Sequence, residues 1–437
     1  MASTEAFKIE GLAGEKRLSG TICVSGSKNE ALPLFASALL FEGDIAFENV
    51  PVISDIEKVT SLLENAGIVV TREKDTAHLK VGEITSSVID KKIAGQFRAS
   101  IILTGPMLAR TGKVSFPPPG GCVIGKRPID LFLSGYEKMG ATVEMSPAGD
   151  EFHITTPEGG LRGAEILFRI PSVTGTETLL MAAVLAHGES ILYNVAMEPE
   201  VTALAEFLKT NGAQIEGIGT PTLRVVGTGG KPLTATTVLP YRIIPDRIEA
   251  GSFVVLGALC AKDLTITNCA PGDLRIPLAM LQECGVPIEV THDTIHIHNN
   301  TKPNSNFKAC SLRTHEYPGF PTDMQAPFGI LSTQATGESI IEEMIFEGRL
   351  GYLEDIARMG AKIVLADVHK AVIQGPTKLT GRELYSPDLR AGLAYVIAAC
   401  VGKGTSHIHN IHYIDRGYEN LEEKLRGIGV DIQRVEM

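Results

Sequence analysis

The chain of 437 residues is short of several things, and each shortage excludes a class. No run of 18 or more apolar residues occurs, so no membrane-spanning helix is expected. The N-terminal "MASTEAFKIEGLAGEKRLSG" has neither the apolar core of a secretory signal nor the character of a transit peptide. Positive charge is scarce: 40 Lys and Arg against 51 Asp and Glu leave a net charge of −11. That argues against a nucleic-acid partner, although it leaves room for a local basic pocket. Paired cysteine spacings are missing too. Seven scattered cysteines, an odd number, form no disulfide framework and suit a reducing, cytoplasmic setting.

What is present points to a globular protein, with 44% hydrophobic and 21% charged residues. The length exceeds one ordinary core and suggests two domains or a repeat array. Repeats are visible. A helical pattern ends in glycine and leads into a strand at "LLENAGIVV", "YEKMGATVEM", "FLKTNGAQIEG", "LQECGVPIEV", "IARMGAKIVL" and "LRGIGVDIQ". The glycines, Gly67, Gly140, Gly212, Gly285, Gly360 and Gly429, are 73, 72, 73, 75 and 69 residues apart. Glycine there fits a left-handed helix cap. A second landmark, an apolar helix, a turn and then a strand, keeps the same register at Gly43, Gly112, Gly188, Asp263, Gly337 and Gly404. Each unit reads strand, helix, strand, helix, strand, strand. Three such units make a domain of ordinary size, so the chain is expected to form two α/β lobes of three units each.

That register exposes an irregular loop. Twelve residues after the turn come Asp55, Glu200, Arg275, Arg349 and Arg416, whereas Arg127 follows Gly112 by 15. The three extra residues lie in "PPPGGCVIGKRPID", which carries Cys122 beside Lys126 and Arg127. Nearby cations favour the thiolate, and added loops on a rigid scaffold tend to carry function. The entrances of the apolar helices hold the other unusual groups: "SGSKNEA", "QFRASI", "PSVTGTET", "IPDRIEAG", "FPTDMQA" and "SPDLRAG". Helix N-termini attract anions, and Lys28, Arg98, Arg247 and Arg390 add charge, so a phosphate or carboxylate site is expected.

Three motifs have plainer explanations. "GGCVIGKR" nearly matches a P-loop, but Arg127 stands where Ser or Thr should bind magnesium, which excludes that site. "HIHN" occurs at 296–299 and 407–410 without a metal-ligand spacing along the chain, so solvated or hydrogen-bonded histidines, and no metal, are expected. Asp323 and Asp388 could each simply cap a helix, and Arg390 could form a surface ion pair.

Taken together, "SGSKNEALPLFASALL", "PPPGGCVIGKRPIDL", "FPTDMQA", "DLRA" and "YIDRGYE" resemble the enolpyruvyl transferase family over essentially the whole chain. The likeness is to its UDP-N-acetylglucosamine branch, since the shikimate branch lacks the cysteine loop. The resemblance implies a two-lobed inside-out α/β barrel of six βαβαββ units, divided into residues 29–243, with a mobile Cys122 loop, and residues 1–28 plus 244–437. It implies transfer of enolpyruvyl from phosphoenolpyruvate to the sugar 3'-hydroxyl, with phosphate released and no cofactor. Cys122, Asp323, Lys28 and Arg416 are the implied catalytic residues. Lys28, Asn29, Arg127 and Arg416 are expected on phosphoenolpyruvate. Arg98, Arg127, Pro128, Ile129, Asp130, Leu131, Ser172, Val173, Asp323 and Ile345 are expected on the sugar nucleotide, and Arg349, Asp388 and Arg390 elsewhere in the site. "PSVTGTET", "FRIP" and Phe132 depart from forms common in the family. The rival expectations are a related transferase with another hydroxyl acceptor and a scaffold that merely binds anions; turnover separates them.

Overall fold

A helix that is apolar on every side is stable only in an interior, and the computed structural model has such helices at the heart of two compact units. The structure describes residues 5–96, 98–120, 129–235, 239–299 and 307–437. One unit runs from residue 26 to 244 and is built on helices Lys28–Ser37, Thr104–Thr111 and Val173–Leu185. The other comprises residues 245–437 with the N-terminal strands, and is built on Arg247–Cys260, Gln325–Gln334 and Leu389–Val401. Arg247–Cys260 is buried at every residue. In the first unit the central helices approach so closely that a Cβ at Gly105 would collide with the Thr178 carbonyl oxygen.

Sheets and amphipathic helices surround these centres. Among the described residues the strands form six sheets, and one strand order recurs. In the third repeat Glu165–Leu167 runs parallel to Glu189–Tyr193, which is antiparallel to Thr222–Val226, itself antiparallel to Gln214–Glu216. The fifth repeat does the same with Leu312–Arg313, Gly337–Glu342, Lys370–Gly375 and Lys362–Leu365. The intervening surface helices bury one stripe; Ser54–Asn65 turns Asp55, Ile56, Val59, Leu62 and Leu63 inward. The glycines that close these helices have φ of 91–119°, where any other residue would be strained.

Some sheets take a strand from a remote part of the chain. Glu5–Glu10 lies between Thr405–His409 and Asp431–Glu436, Leu18–Cys23 runs parallel to Ala261–Thr267, and Tyr241–Arg242 runs parallel to Phe41–Glu48. The second repeat departs from a single continuous first helix. It is split into Lys91–Gln96, a 3-10 turn Arg98–Leu103, and Thr104–Thr111. Pro106 falls in the first turn of the last piece, where its missing N–H costs no intrahelical bond.

Candidate active site

In the first unit the entrance of the helix Lys28–Ser37 is built by a serine cap and a buried ion pair. Ser27 accepts from the Glu30 amide at 3.3 Å. Lys28 is 8% exposed, and its Nζ lies 2.7 Å from Asp55 Oδ2, with Lys58 Nζ 3.3 Å from the other carboxylate oxygen. The next residue, Asn29, donates from Nδ2 to Glu200 Oε1 at 3.3 Å. Near Glu200 lies Glu177, wholly buried; burial, then Glu200 and Glu198, push its carboxyl well above the usual range. Arg98 is half-buried at the start of its 3-10 turn. Ser172 caps Val173–Leu185 by accepting from the Gly175 amide at 3.1 Å. A Cβ at Gly175 would stand 2.9 Å from Ser172 Oγ and 3.1 Å from Leu131 Cδ2, so Leu131 and Ser172 border one small recess. Ile129 precedes the helix Asp130–Lys138, and Asp130 is exposed.

The second unit gathers charge around Asp323. Its Oδ1 is 2.8 Å from Arg349 Nη2, and its Oδ2 receives both Nε and Nη2 of Arg390 at 3.0 Å. The carboxylate is 26% exposed while the two arginine side chains are 5% and 4% exposed. Burial alone would raise its pKa, but Arg390 and Arg349, with Arg247 further off, hold it well below the usual carboxylate range. Asp323 caps no helix: no side chain caps Thr322–Met324 or the helix that follows. Asp388 does cap one, accepting from the amides of Arg390 and Ala391 at 2.8 and 3.0 Å. Arg390 is no surface residue but is 4% exposed, and its Nη1 donates to Tyr418 Oη at 3.0 Å.

A second carboxylate fixes the rest. Glu343, fully buried, accepts from Thr314 Oγ1 at 3.0 Å, from Thr322 Oγ1 at 2.8 Å, and from the amides of Ile345 and Phe346 at 2.9 and 3.1 Å. Thr322 Oγ1 in turn accepts from Arg349 Nη1 at 2.7 Å. Glu343, Thr322, Arg349, Asp323, Arg390 and Tyr418 are therefore one connected network that also sets the backbone at Ile345.

The structure thus joins Asp323, Arg349 and Arg390 directly, seats Ile345 beside them, and assigns Asp388 to capping. Arg416, half-buried, ends the 3-10 turn Ile411–Arg416. Cys122, Lys126, Arg127 and Pro128 lie outside the described residues. Sequence reasoning passed over Glu343, Thr322 and Tyr418. A signal existed: six residues after Gly43, Gly188 and Gly404 stand Asn49, Asn194 and Asn410, with φ of 57–60°, whereas the same position after Gly337 is Glu343.

Each unit is thus a set of central helices wrapped by sheets, with charged groups at the helix entrances. Comparison with solved structures agrees on the fold. The enolpyruvyl transferase NikO from Streptomyces tendae matches with a TM-score of 0.87 at 23% identity, all of both chains being covered. An EPSP synthase from Acinetobacter baumannii matches with 0.73 at 17%, covering 99% of this chain and 100% of the other. Residues 12–425 match the family described as EPSP synthase (3-phosphoshikimate 1-carboxyvinyltransferase), and the chain belongs to that family. Similar relatives are named UDP-N-acetylglucosamine 1-carboxyvinyltransferase. That of Campylobacter lari is 42% identical over 97% of this chain and 98% of its own, and that of Campylobacter hominis 44% over 96% and 98%. The chain is therefore a transferase of this family. Among the described residues no helix is long and apolar enough to cross a membrane.

Proposed function

We propose that the protein transfers the enolpyruvyl group of phosphoenolpyruvate to the 3'-hydroxyl of UDP-N-acetylglucosamine and releases phosphate. The observation that carries this is the identity of 42–44% along nearly the whole chain to relatives named for that reaction. The hydroxyl oxygen bonds to C2 of phosphoenolpyruvate while the neighbouring CH2 takes a proton and becomes CH3. The C2–O bond to phosphate then breaks, and loss of a methyl proton restores the double bond. Cys122 supplies the proton to the CH2 or bonds transiently to C2, and Asp323 takes the hydroxyl proton.

Lys28, Asn29, Arg127 and Arg416 hold the carboxylate and phosphate of phosphoenolpyruvate and stabilise the departing phosphate. Arg98, residues 127–131, Ser172, Val173, Asp323 and Ile345 hold the sugar nucleotide, and Arg349, Asp388 and Arg390 complete the site. The ion pairs described above support these roles in a specific way. Lys28 and Asp323 are each held in place by ion pairs, which lowers the reorganisation needed during reaction. Asp323 clamped by two arginines is a weak base; a substrate anion that draws either guanidinium away strengthens it. Residues 29–243 and residues 1–28 with 244–437 act as the two functional lobes. The described residues divide between Ser25 and Gly26 and between Ile244 and Pro245, which supports two lobes but groups residues 26–28, Lys28 among them, and residue 244 with residues 29–243.

The reaction belongs to cytoplasmic peptidoglycan precursor synthesis, and hence to cell-wall biogenesis, cell shape and division. Its substrates are small molecules, without nucleic acid or membrane. Phosphate release from phosphoenolpyruvate with UDP-N-acetylglucosamine, and not with shikimate 3-phosphate, is the expected result. Turnover only with the latter, or none with either, would reject it. The epoxide fosfomycin is expected to label Cys122, and peptide mapping checks that.

A further inference from the structure

We propose that one outer sheet of the second unit binds a divalent transition-metal ion of the zinc type through His296, His298 and Asp263, with Glu289 in reach as a fourth ligand. Along the chain these histidines have no ligand partner; across the sheet they do. Ile295 and Ile297 are fully buried, so the alternation of a strand turns His296 and His298 together to the outer face. Asp263 sits directly opposite His298 on Ala261–Thr267, and Glu289 sits opposite His296 on Ile288–Val290. Four ligands of metal-binding type therefore share one face of three adjacent strands.

The distances bracket a coordination sphere. His296 Nε2 is 2.6 Å from Asp263 Oδ1, His298 Nδ1 is 3.9 Å from Asp263 Oδ2, and His298 Nε2 is 3.6 Å from Glu289 Oε2. One ligand atom from each of Asp263, His296 and His298 lies within 4.8 Å of the others. Zinc bonds of about 2.0–2.2 Å set neighbouring ligand atoms of a tetrahedron roughly 3.3–3.6 Å apart. The short contact must open and the long one close. Both are small rotations, because the Asp263 side chain is 53% exposed and the histidines 28% and 30%. Imidazole with carboxylate suits zinc, copper or nickel better than the all-oxygen spheres of magnesium and calcium.

The second "HIHN" gives the contrast within the same molecule. Glu383 ties His407 Nδ1 at 2.7 Å and His409 Nε2 at 2.6 Å, and Tyr385 stacks on His409 with ring centroids 4.5 Å apart. Glu383 is used there as a clip, and among the described residues this set does not gather three ligand atoms as the first does. At the first site an ion would link three strands just before Asn299. Asn299 Nδ2 donates to the carbonyls of Gly257, Ala258 and Ala261 at 2.8–3.3 Å, which closes the end of the central helix Arg247–Cys260. The ion would thus stabilise the second unit without touching the residues assigned to catalysis.

The test titrates zinc into tag-free full-length protein against a chromophoric chelator, with cobalt as the spectroscopic substitute. One zinc per chain should be lost or weakened at least about tenfold in H296A/H298A, since even outer-shell changes cost 10–100-fold. Asp263→Asn should weaken it in the same direction, and H407A/H409A should leave it unchanged. Zinc should raise the melting temperature of the wild type and not of H296A/H298A, whose metal-free turnover confirms its fold. Equal affinity in wild type and H296A/H298A, or loss in H407A/H409A instead, overturns the site.

Discussion

The two units solve the same problem, a charge fixed at a helix entrance, with opposite signs. In the first, a nearly buried lysine is neutralised by one aspartate: Lys28 and Asp55 are 2.7 Å apart with side chains 10% and 1% exposed. In the second, one aspartate lies between two buried arginines, Arg349 and Arg390. A lysine is a point charge that can release its partner and turn to a ligand, whereas a guanidinium grips a carboxylate in a fixed plane. The first arrangement is a cation held by one carboxylate that a single point charge can exchange. The second is a carboxylate already clamped between two buried guanidinium groups.

The comparison breaks most sharply at Asp323. Asp323→Asn should lower kcat by about 10²–10⁴-fold, the usual share of a general base. Because Asp323 serves as counter-charge and not as a cap, stability should also fall, by about 1.5–3 kcal/mol for hydrogen bonds between charged groups. Its folded pKa lies below the unfolded value of 3.8, so this stabilisation is present above about pH 4 and is lost as pH falls further. Denaturant melts of wild type and variant should therefore converge in acid. Near-normal kcat in the folded variant would remove Asp323 from the chemistry.

At Lys28 the larger effect of structure is on stability. Lys28→Met strands a buried carboxylate and should cost about 3 kcal/mol, the low end for broken buried pairs because Lys58 still reaches Asp55. Adding Asp55→Asn should restore most of that stability and none of the turnover. Recovery of both together would make the pair purely structural.

Much of this was legible in the chain. Six glycines at near-constant spacing reveal the repeats because a left-handed helix cap admits little else. The apolar helices were legible for the same kind of reason, a requirement of local chemistry. Thr322 and Tyr418 were not, because their importance comes from contacts 20–30 residues away in sequence, and Glu343 left only its break with the asparagine of three other repeats. Asp323 and Asp388 look alike as helix-entry acids. The guanidinium groups of Arg349 and Arg390 on Asp323, and the two backbone amides on Asp388, distinguish the clamped carboxylate from the cap.

Glu30 sharpens the contrast through pH. It is fully buried in the first unit, accepting from Tyr241 Oη at 2.8 Å and from the Ile244 amide at 2.6 Å. Burial, partly offset by these bonds, pushes its pKa up to about 7. A raised acid stabilises the fold while protonated: its contribution is complete below the unfolded value of 4.5 and is lost as pH rises towards 7. This is the reverse of Asp323. Glu30→Gln should flatten the decline in stability across that window, and an unchanged slope would assign the decline to another group.

The smallest expected effect concerns Asp388, where capping and substrate contact can be told apart. Asp388 accepts from two amides at 2.8 and 3.0 Å, while Ser27, its counterpart in the first unit, accepts from one at 3.3 Å. Asp388→Ala should therefore cost about 1 kcal/mol, and Ser27→Ala less. Asparagine caps nearly as well as aspartate, so Asp388→Asn should melt like the wild type. If the carboxylate only caps, Asp388→Asn should also keep its turnover and its KM for both substrates. A tenfold loss with an unchanged melting temperature would mean that the charge itself acts on a substrate. The cap would then be a second use of a residue whose first use lies in the site.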